Sequence, residues 1–241
     1  VMSETKTDFR IASYNIRKAM GTDRRRDPDR VMSVISGLKA DIVILQEADL
    51  RLGARKAALP RQLIEAHTGL VPVQLARSAV SLGWHGTAVL ARPGIEVRNV
   101  VHLDLPGLEP RGAVIVDLQL EAGLLRVVGT HLGLLRRSRR QQVSHIRAAL
   151  TALPRCATLL AGDLNEFSTS VGLGRLVPTF TIHTPGRTFH ARHPFAALDR
   201  FATNDMVRLN SMGVVQDAVT ALASDHLPIW AQGVLAPGAE G

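Results

Sequence analysis

Short apolar runs rich in β-branched residues recur along the chain, set apart by glycine, proline and clusters of charge. Runs of this kind predict strands at Phe9–Ile16, Asp41–Glu47, Val71–Arg77, Thr87–Arg92, Ile95–Leu103, Ala113–Leu120, Leu125–His131, Thr158–Leu164, Leu198–Thr203, Val207–Val214 and Leu227–Val234. Phe9–Ile16 and Asp41–Glu47 are almost continuously apolar, as expected of strands covered on both faces. In Ala113–Leu120, Asp117 and Gln119 alternate with Val116, Leu118 and Leu120, which predicts a strand with one face in water.

Helical spacing is rarer. Asp27-Pro28 reads as N-cap and first helical position, followed by an apolar stripe at Val31, Val34, Ile35 and Leu38. Arg61–Thr68 predicts a second helix stopped by Gly69. A third is expected from Ser138 or Arg139 to Leu153, with Val143, Ile146, Leu150 and Leu153 on one side and Pro154 ending it. Many strands and few helices predict an α/β (α+β) protein with mixed sheets and helices on the outer faces. No repeat or linker interrupts the pattern, so residues 1–241 are expected to form one domain, with 1–8 and 236–241 as flexible tails.

Polar residues gather where strands end. Ser13-Tyr14-Asn15 closes the first strand, Gln46-Glu47 follows Ile42-Val43-Ile44, and Thr130-His131 follows Val127-Val128. Gly162-Asp163-Leu164-Asn165 follows Leu159-Leu160, and Ser224-Asp225-His226 precedes Leu227. Polar groups at strand ends can meet on one rim of a packed sheet, whereas mid-strand charges are costly to bury. Glu47, Asn15 and Asp225 offer the oxygen ligands that a hard cation such as Mg²⁺ takes. His131 and His226 can exchange protons near neutral pH. A basic His226 needs a carboxylate on its second ring nitrogen, and Asp199 is the candidate, its alternative being a bridge to Arg200.

Composition adds a direction. Among 241 residues, 29 are basic and 21 acidic, a net charge of +8, with 46% hydrophobic and 4% aromatic residues. That hydrophobic share excludes a disordered chain, and no apolar run reaches the length of a membrane span. The first ten residues hold no apolar h-region, so no signal peptide is expected and the location expected is cytoplasmic. The lone Cys156 excludes an intrachain disulfide. Arginine supplies nearly all the positive charge, and its planar fork suits phosphate oxygens. Arg111 and the run Arg136-Arg137-Ser138-Arg139-Arg140 are the candidate phosphate contacts, the run being equally readable as a solvated helix start.

SYNI, LQEAD, GTHL, GDLN, LDR and SDH, in this order from Phe9 to Val234, resemble the endonuclease/exonuclease/phosphatase superfamily, as do HGTAVLARPG and Glu109-Pro110-Arg111-Gly112. The resemblance implies a four-layer αββα sandwich of two mixed sheets and a metal-dependent phosphoesterase. It implies Glu47 as the main ligand of Mg²⁺ (or of Mn²⁺ as substitute), with Asn15 and Asp225 beside it. It further implies Asp163 as the residue that orients or deprotonates the attacking water and Asn165 as the asparagine at the scissile phosphate. Asp199 and His226 match the paired aspartate and histidine, and His131 matches a second, phosphate-stabilising histidine. The expected substrate is a phosphate ester, with DNA or RNA favoured by the charge. The alternatives are a phospholipid or small phosphorylated molecule, or an inactive binding scaffold. No obligate protein partner is evident.

Overall fold

The computed structural model describes residues 7–51, 53–168, 173–176 and 178–236. Two six-stranded sheets carry the fold. The first contains β1 (Phe9–Asn15), β2 (Ile42–Gln46), β3 (Val71–Pro72), β4 (Ala88–Ala91), β11 (Val207–Val214) and β12 (Ile229–Leu235), in the order β11-β12-β1-β2-β4-β3. The second contains β5 (Glu96–Leu105), β6 (Arg111–Leu120), β7 (Gly123–His131), β8 (Ala157–Asp163), β9 (Thr181–His183) and β10 (Asp199–Thr203), in the order β5-β6-β7-β8-β10-β9. The helices are α1 (Pro28–Gly37), α2 (Arg61–Thr68), α3 (Arg136–Thr151) and the short α4 (Thr220–Ala223).

Each sheet is antiparallel except at its centre, where β1 runs parallel to β2 and β7 to β8. A parallel pair needs a crossover, and α1 and α3 supply the two. Asp27 caps α1 by accepting the Arg30 amide at 2.9 Å, with Pro28 as first helical residue. Gly69, at φ 71°, ends α2 in the left-handed conformation glycine tolerates best.

Alternation sorts the side chains into three cores. Phe9, Ile11, Ile42 and Ile44 from the first sheet meet Val127, Leu159, Ala161 and Phe201 from the second. Ala12, Tyr14, Val43 and Leu45 pack beneath α1 and α2, while Ile115, Val128 and Leu160 pack against Val143 and Ile146 of α3. The layers are therefore those of the expected αββα sandwich.

Four details differ from the sequence reading. The face of β6 expected in water is covered: Asp117 is buried, and Arg126 from β7 donates to it from Nε at 2.7 Å and Nη2 at 2.9 Å. A paired charge in the interior gives the same alternation as a wet face. The strand expected at Val71–Arg77 is only Val71–Pro72, and Thr181–His183 is a short edge strand too brief to carry a pattern. The third helix starts at Arg136 because Arg139 turns inward, donating to Gly133 O at 3.2 Å and to the Glu166 carboxylate at 2.8 Å. This side chain holds the first turn from inside. Of the stretches expected as tails, 1–6 and 237–241 lie outside the described residues, whereas Asp8 donates its amide to Gly233 O and accepts that of Leu235, both at 2.9 Å. No described helix is long and apolar enough to cross a membrane.

Candidate active site

Both parallel pairs deliver their C-terminal ends to one rim. β1 and β2 end at Asn15 and Gln46-Glu47, and β7 and β8 end at His131 and Asp163. In the second sheet, pairing places His131 opposite Asp163 and Asp163 opposite Asp199, so three of the candidate side chains share one rung across β7, β8 and β10. All three follow the alternation of the residues that face the first sheet, as does Asn15 on β1. Gly162 permits the close pairing: its φ is 152°, and a Cβ there would sit 1.8 Å from Thr130 O.

Asp163 Oδ2 is where the groups converge. Asn15 Nδ2 donates to it at 3.0 Å, His131 Nε2 lies 3.3 Å away and His226 Nε2 3.6 Å away. Oδ1 accepts the Asn165 amide at 3.0 Å. Burial alone would raise this carboxyl, but the two imidazoles and the Asn15 amide outweigh it and hold it well below the usual range.

His226 is fixed from behind. Its Nδ1 meets Asp199 Oδ2 at 2.8 Å, and the same oxygen accepts the Thr188 hydroxyl at 2.5 Å. Burial lowers the imidazolium's stability, yet Asp199, Asp163 and Asp225 together push its pKa up to about 10. The neighbouring Arg200 points away and bonds the carbonyls of Ala197, Ser168 and Glu166, so Asp199 takes the histidine and not the arginine.

His131 is opposite in character. Arg111 Nη1 lies 2.9 Å from its Nδ1, and a guanidinium can only donate, so the ring proton is assigned to Nε2 facing Asp163. Burial, aided by Arg111 and His226, lowers its pKa despite Asp163. The two histidines of the site are thus shifted in opposite directions.

Glu47 follows β2 at φ 53°, and its carboxylate is ion-paired with Lys18 and lies 3.6 Å from Arg51. Lys18 comes from a left-handed turn in which Arg17, Lys18 and Ala19 all have positive φ. Burial, with help from Arg51, brings its pKa down to about 8. Arg17 contacts Asp225 at 3.3 Å, and its amide donates to Asn15 Oδ1 at 3.1 Å. The Ser224 hydroxyl donates to Asn15 O at 2.7 Å, joining the last segment to the end of β1. Asn165 donates to Leu132 O at 2.8 Å, leaving its second amide hydrogen for another acceptor.

Asn15, Asp163, His131, Asp199, His226 and Asn165 are therefore brought together directly, with Arg111 behind His131. Glu47 and Asp225 stand at the same rim, each ion-paired with the turn that carries Arg17 and Lys18. Arg136 and Arg137 lie elsewhere, on the exposed face of α3 beside Arg140, His145 and Arg175. Tyr14 faces α1 and its hydroxyl is buried without a partner. Sequence reasoning missed Thr188, Lys18 and His85, which reach the site through loops whose spacing carries no pattern. Each is positioned by a contact across more than ten residues of chain.

The profile of the Endonuclease/Exonuclease/phosphatase family matches residues 12–226. The chain belongs to this family. Its members are phosphoesterase hydrolases. The family fold is also that of an endonuclease/exonuclease/phosphatase from Beutenbergia cavernae, 21% identical over 97% of this chain and 73% of that one, with a TM-score of 0.74. The mannosyl-6-phosphatase Bt3783 of Bacteroides thetaiotaomicron is 16% identical, covering 94% of this chain and all of the other, with a TM-score of 0.73. D. rerio TDP2 complexed with a single-strand DNA product is 16% identical over 93% and 98% of the two chains, at 0.72. Compared with curated proteins by sequence, the chain has no match.

Family members depend on a divalent metal. Among the described residues, Asp163, Asp199 and His226 form a group whose ligand atoms lie within 4.8 Å of one another. Their contacts to each other are those of a hydrogen-bonded pair, since the proton shared by His226 Nδ1 and Asp199 occupies that nitrogen. Glu47 and Asp225 instead offer carboxylate oxygens and Asn15 its Oδ1, and the cationic Arg17, Lys18 and Arg51 already sit against the two carboxylates. That donor chemistry fits a hard cation.

Proposed function

We propose that this protein is a Mg²⁺-dependent phosphoesterase that hydrolyses phosphodiesters of nucleic acid by direct attack of water. The observation that carries the reading is the convergence on Asp163 Oδ2 of an amide and two imidazoles from separate segments. An ionised carboxylate held in place by these donors can orient a water without competing strongly for its protons.

Glu47, Asn15 and Asp225 would hold the cation, with Mn²⁺ as a substitute. When bound, it supplies Lewis-acid polarisation of the phosphoryl oxygen and eases ionisation of water. Asp163 orients the attacking water. His226, kept protonated by Asp199, presents Nε2–H to charge growing on the phosphate oxygens. His131, whose single Nε2–H faces Asp163 at 3.3 Å, shares that donor with the phosphate oxygens from the other side, and the second hydrogen of the Asn165 side-chain amide adds a third donor. The preference for nucleic acid is supported by the exposed face of α3, where Arg136, Arg137 and Arg140 carry cations and the helix has no acidic residue. A second reading, hydrolysis of a small phosphorylated molecule, is favoured by a small cavity of about 120 Å³ at His131.

Plasmid nicking, a panel of phosphomonoesters and a panel of phospholipids, each with Mg²⁺ and with EDTA, separate these readings. Nicking that needs Mg²⁺ and weakens steeply with salt supports the nuclease. Turnover confined to monoesters or lipids replaces it, and inactivity on all three returns the protein to a binding scaffold.

A further inference from the structure

We propose that the cavity behind His131 binds a second anionic group, a phosphate or carboxylate, carried on the leaving side of the substrate. The placement on the leaving side rests on Asp163 orienting the water, as proposed above. The cavity is about 120 Å³ and is lined by Glu47, Arg51, Arg55, His85, Arg111 and His131, among others. That is room for a few waters or one tetrahedral anion.

Its direction follows from the imidazole. Asp163 meets His131 at Nε2 and Arg111 meets it at Nδ1, so the two lie at opposite edges of one ring. In-line displacement sets the leaving oxygen opposite the incoming water. With the water on Asp163 and the phosphate held against His131, as proposed above, the leaving group points towards Arg111 and the cavity.

Its chemistry is that of uncommitted donors. Arg111 is 8% exposed, and its buried Nε has no partner although both Nη atoms are engaged. Among the described residues Arg55 reaches His85 Nδ1 alone, from Nη1 at 3.2 Å, and keeps its remaining N–H groups for a guest. The acids in the wall are already satisfied. Asp49 accepts the amides of Leu82 and Gly83 at 2.6 and 3.1 Å. Glu109 accepts from Arg111 Nη2 at 2.6 Å, and Glu47 is paired with Lys18. A guest thus meets the remaining N–H groups of Arg55 beside the Arg111 guanidinium, whose positive charge is held in the wall by His131 and Glu109.

The wall is also fixed in place. His85 Nε2 is held by Asp104 Oδ1 at 2.8 Å, and its ring packs edge-on to Trp84. Gly112 makes room for both: a Cβ there would meet His85 Cδ2 at 2.7 Å and Trp84 Cδ1 at 2.9 Å.

The test uses Arg55→Met and Arg55→Lys, whose folding is checked by circular dichroism. Calorimetric titration in metal-free buffer should show inorganic pyrophosphate binding the wild type about tenfold more tightly than inorganic phosphate. Arg55→Met should remove that preference and Arg55→Lys should restore part of it. Equal binding of the two anions, or a preference untouched in Arg55→Met, overturns the proposal. Two sets of substrates in Mg²⁺ identify the source of the anion: pTpT and TpTp, each paired with TpT, and a hexose bisphosphate paired with its monophosphate. In the pair that turns over, the added phosphate should lower KM with kcat unchanged, and Arg55→Met should abolish the difference. If pyrophosphate is preferred through Arg55 and no ester turns over, the anion site stands while the catalytic reading falls.

Discussion

Asn15 and Asp163, 148 residues apart in sequence, meet between the two sheets, where Asn15 Nδ2 donates to Asp163 Oδ2 at 3.0 Å. Each ends a strand of the parallel pair at the centre of its own sheet. The contact therefore ties together the two halves of the sandwich at the rim where the chemistry is proposed.

Asn15→Asp should convert this bond into a clash of charges. Two carboxylates about 3 Å apart do not both ionise freely, so the pair should retain a proton well above the range in which Asp163 alone holds one. Carboxyl titration by NMR should show a raised apparent pKa, and hydrolysis should fall at least about 100-fold.

His226 should give the protein a measurable pH signature. Its folded pKa is raised from 6.5 to about 10. The associated stability is then fully present below about pH 6.5 and is lost as pH rises through about 10. Denaturant unfolding of wild type and His226→Gln should show the largest gap at pH 6 and a shrinking one up to pH 10. A gap that widens with pH would contradict this charge state.

Asp199→Asn should leave the fold standing and disable His226. The amide keeps the shape but no longer stabilises the imidazolium, and it can present N–H to the wrong ring nitrogen. By analogy with other supported histidines, activity should fall about 10³- to 10⁴-fold, and the His226 titration seen by NMR should move down.

Much of this arrangement is legible in the sequence alone. The apolar runs place both ends of β1 and β8 within a residue, and Asn15, Asp163, Asp199 and His226 stand out as polar residues at strand ends or beside them. What the chain does not display is register: that His131, Asp163 and Asp199 share one rung depends on pairings made over long separations. Asp117 misleads for a related reason, since periodicity records polarity and not whether an arginine on the next strand neutralises it. Lys18 and Thr188 carry no periodic signal because turns position them.

The buried Asp117–Arg126 pair supplies a control away from the chemistry. Asp117→Ala should cost about 3–5 kcal/mol by stranding the Arg126 charge, with kcat unchanged for the fraction that folds. Replacing both residues with apolar side chains of similar volume should recover most of that loss. Urea unfolding of the two variants checks both statements.

The most direct measurement is the Mg²⁺-dependent rate on bis(4-nitrophenyl) phosphate for wild type and Asp163→Ala, with circular dichroism confirming that both fold. The expected result is steady turnover by the wild type, abolished by EDTA, and a loss of at least about 100-fold in the variant. Turnover by a folded Asp163→Ala protein at the wild-type rate would contradict the account.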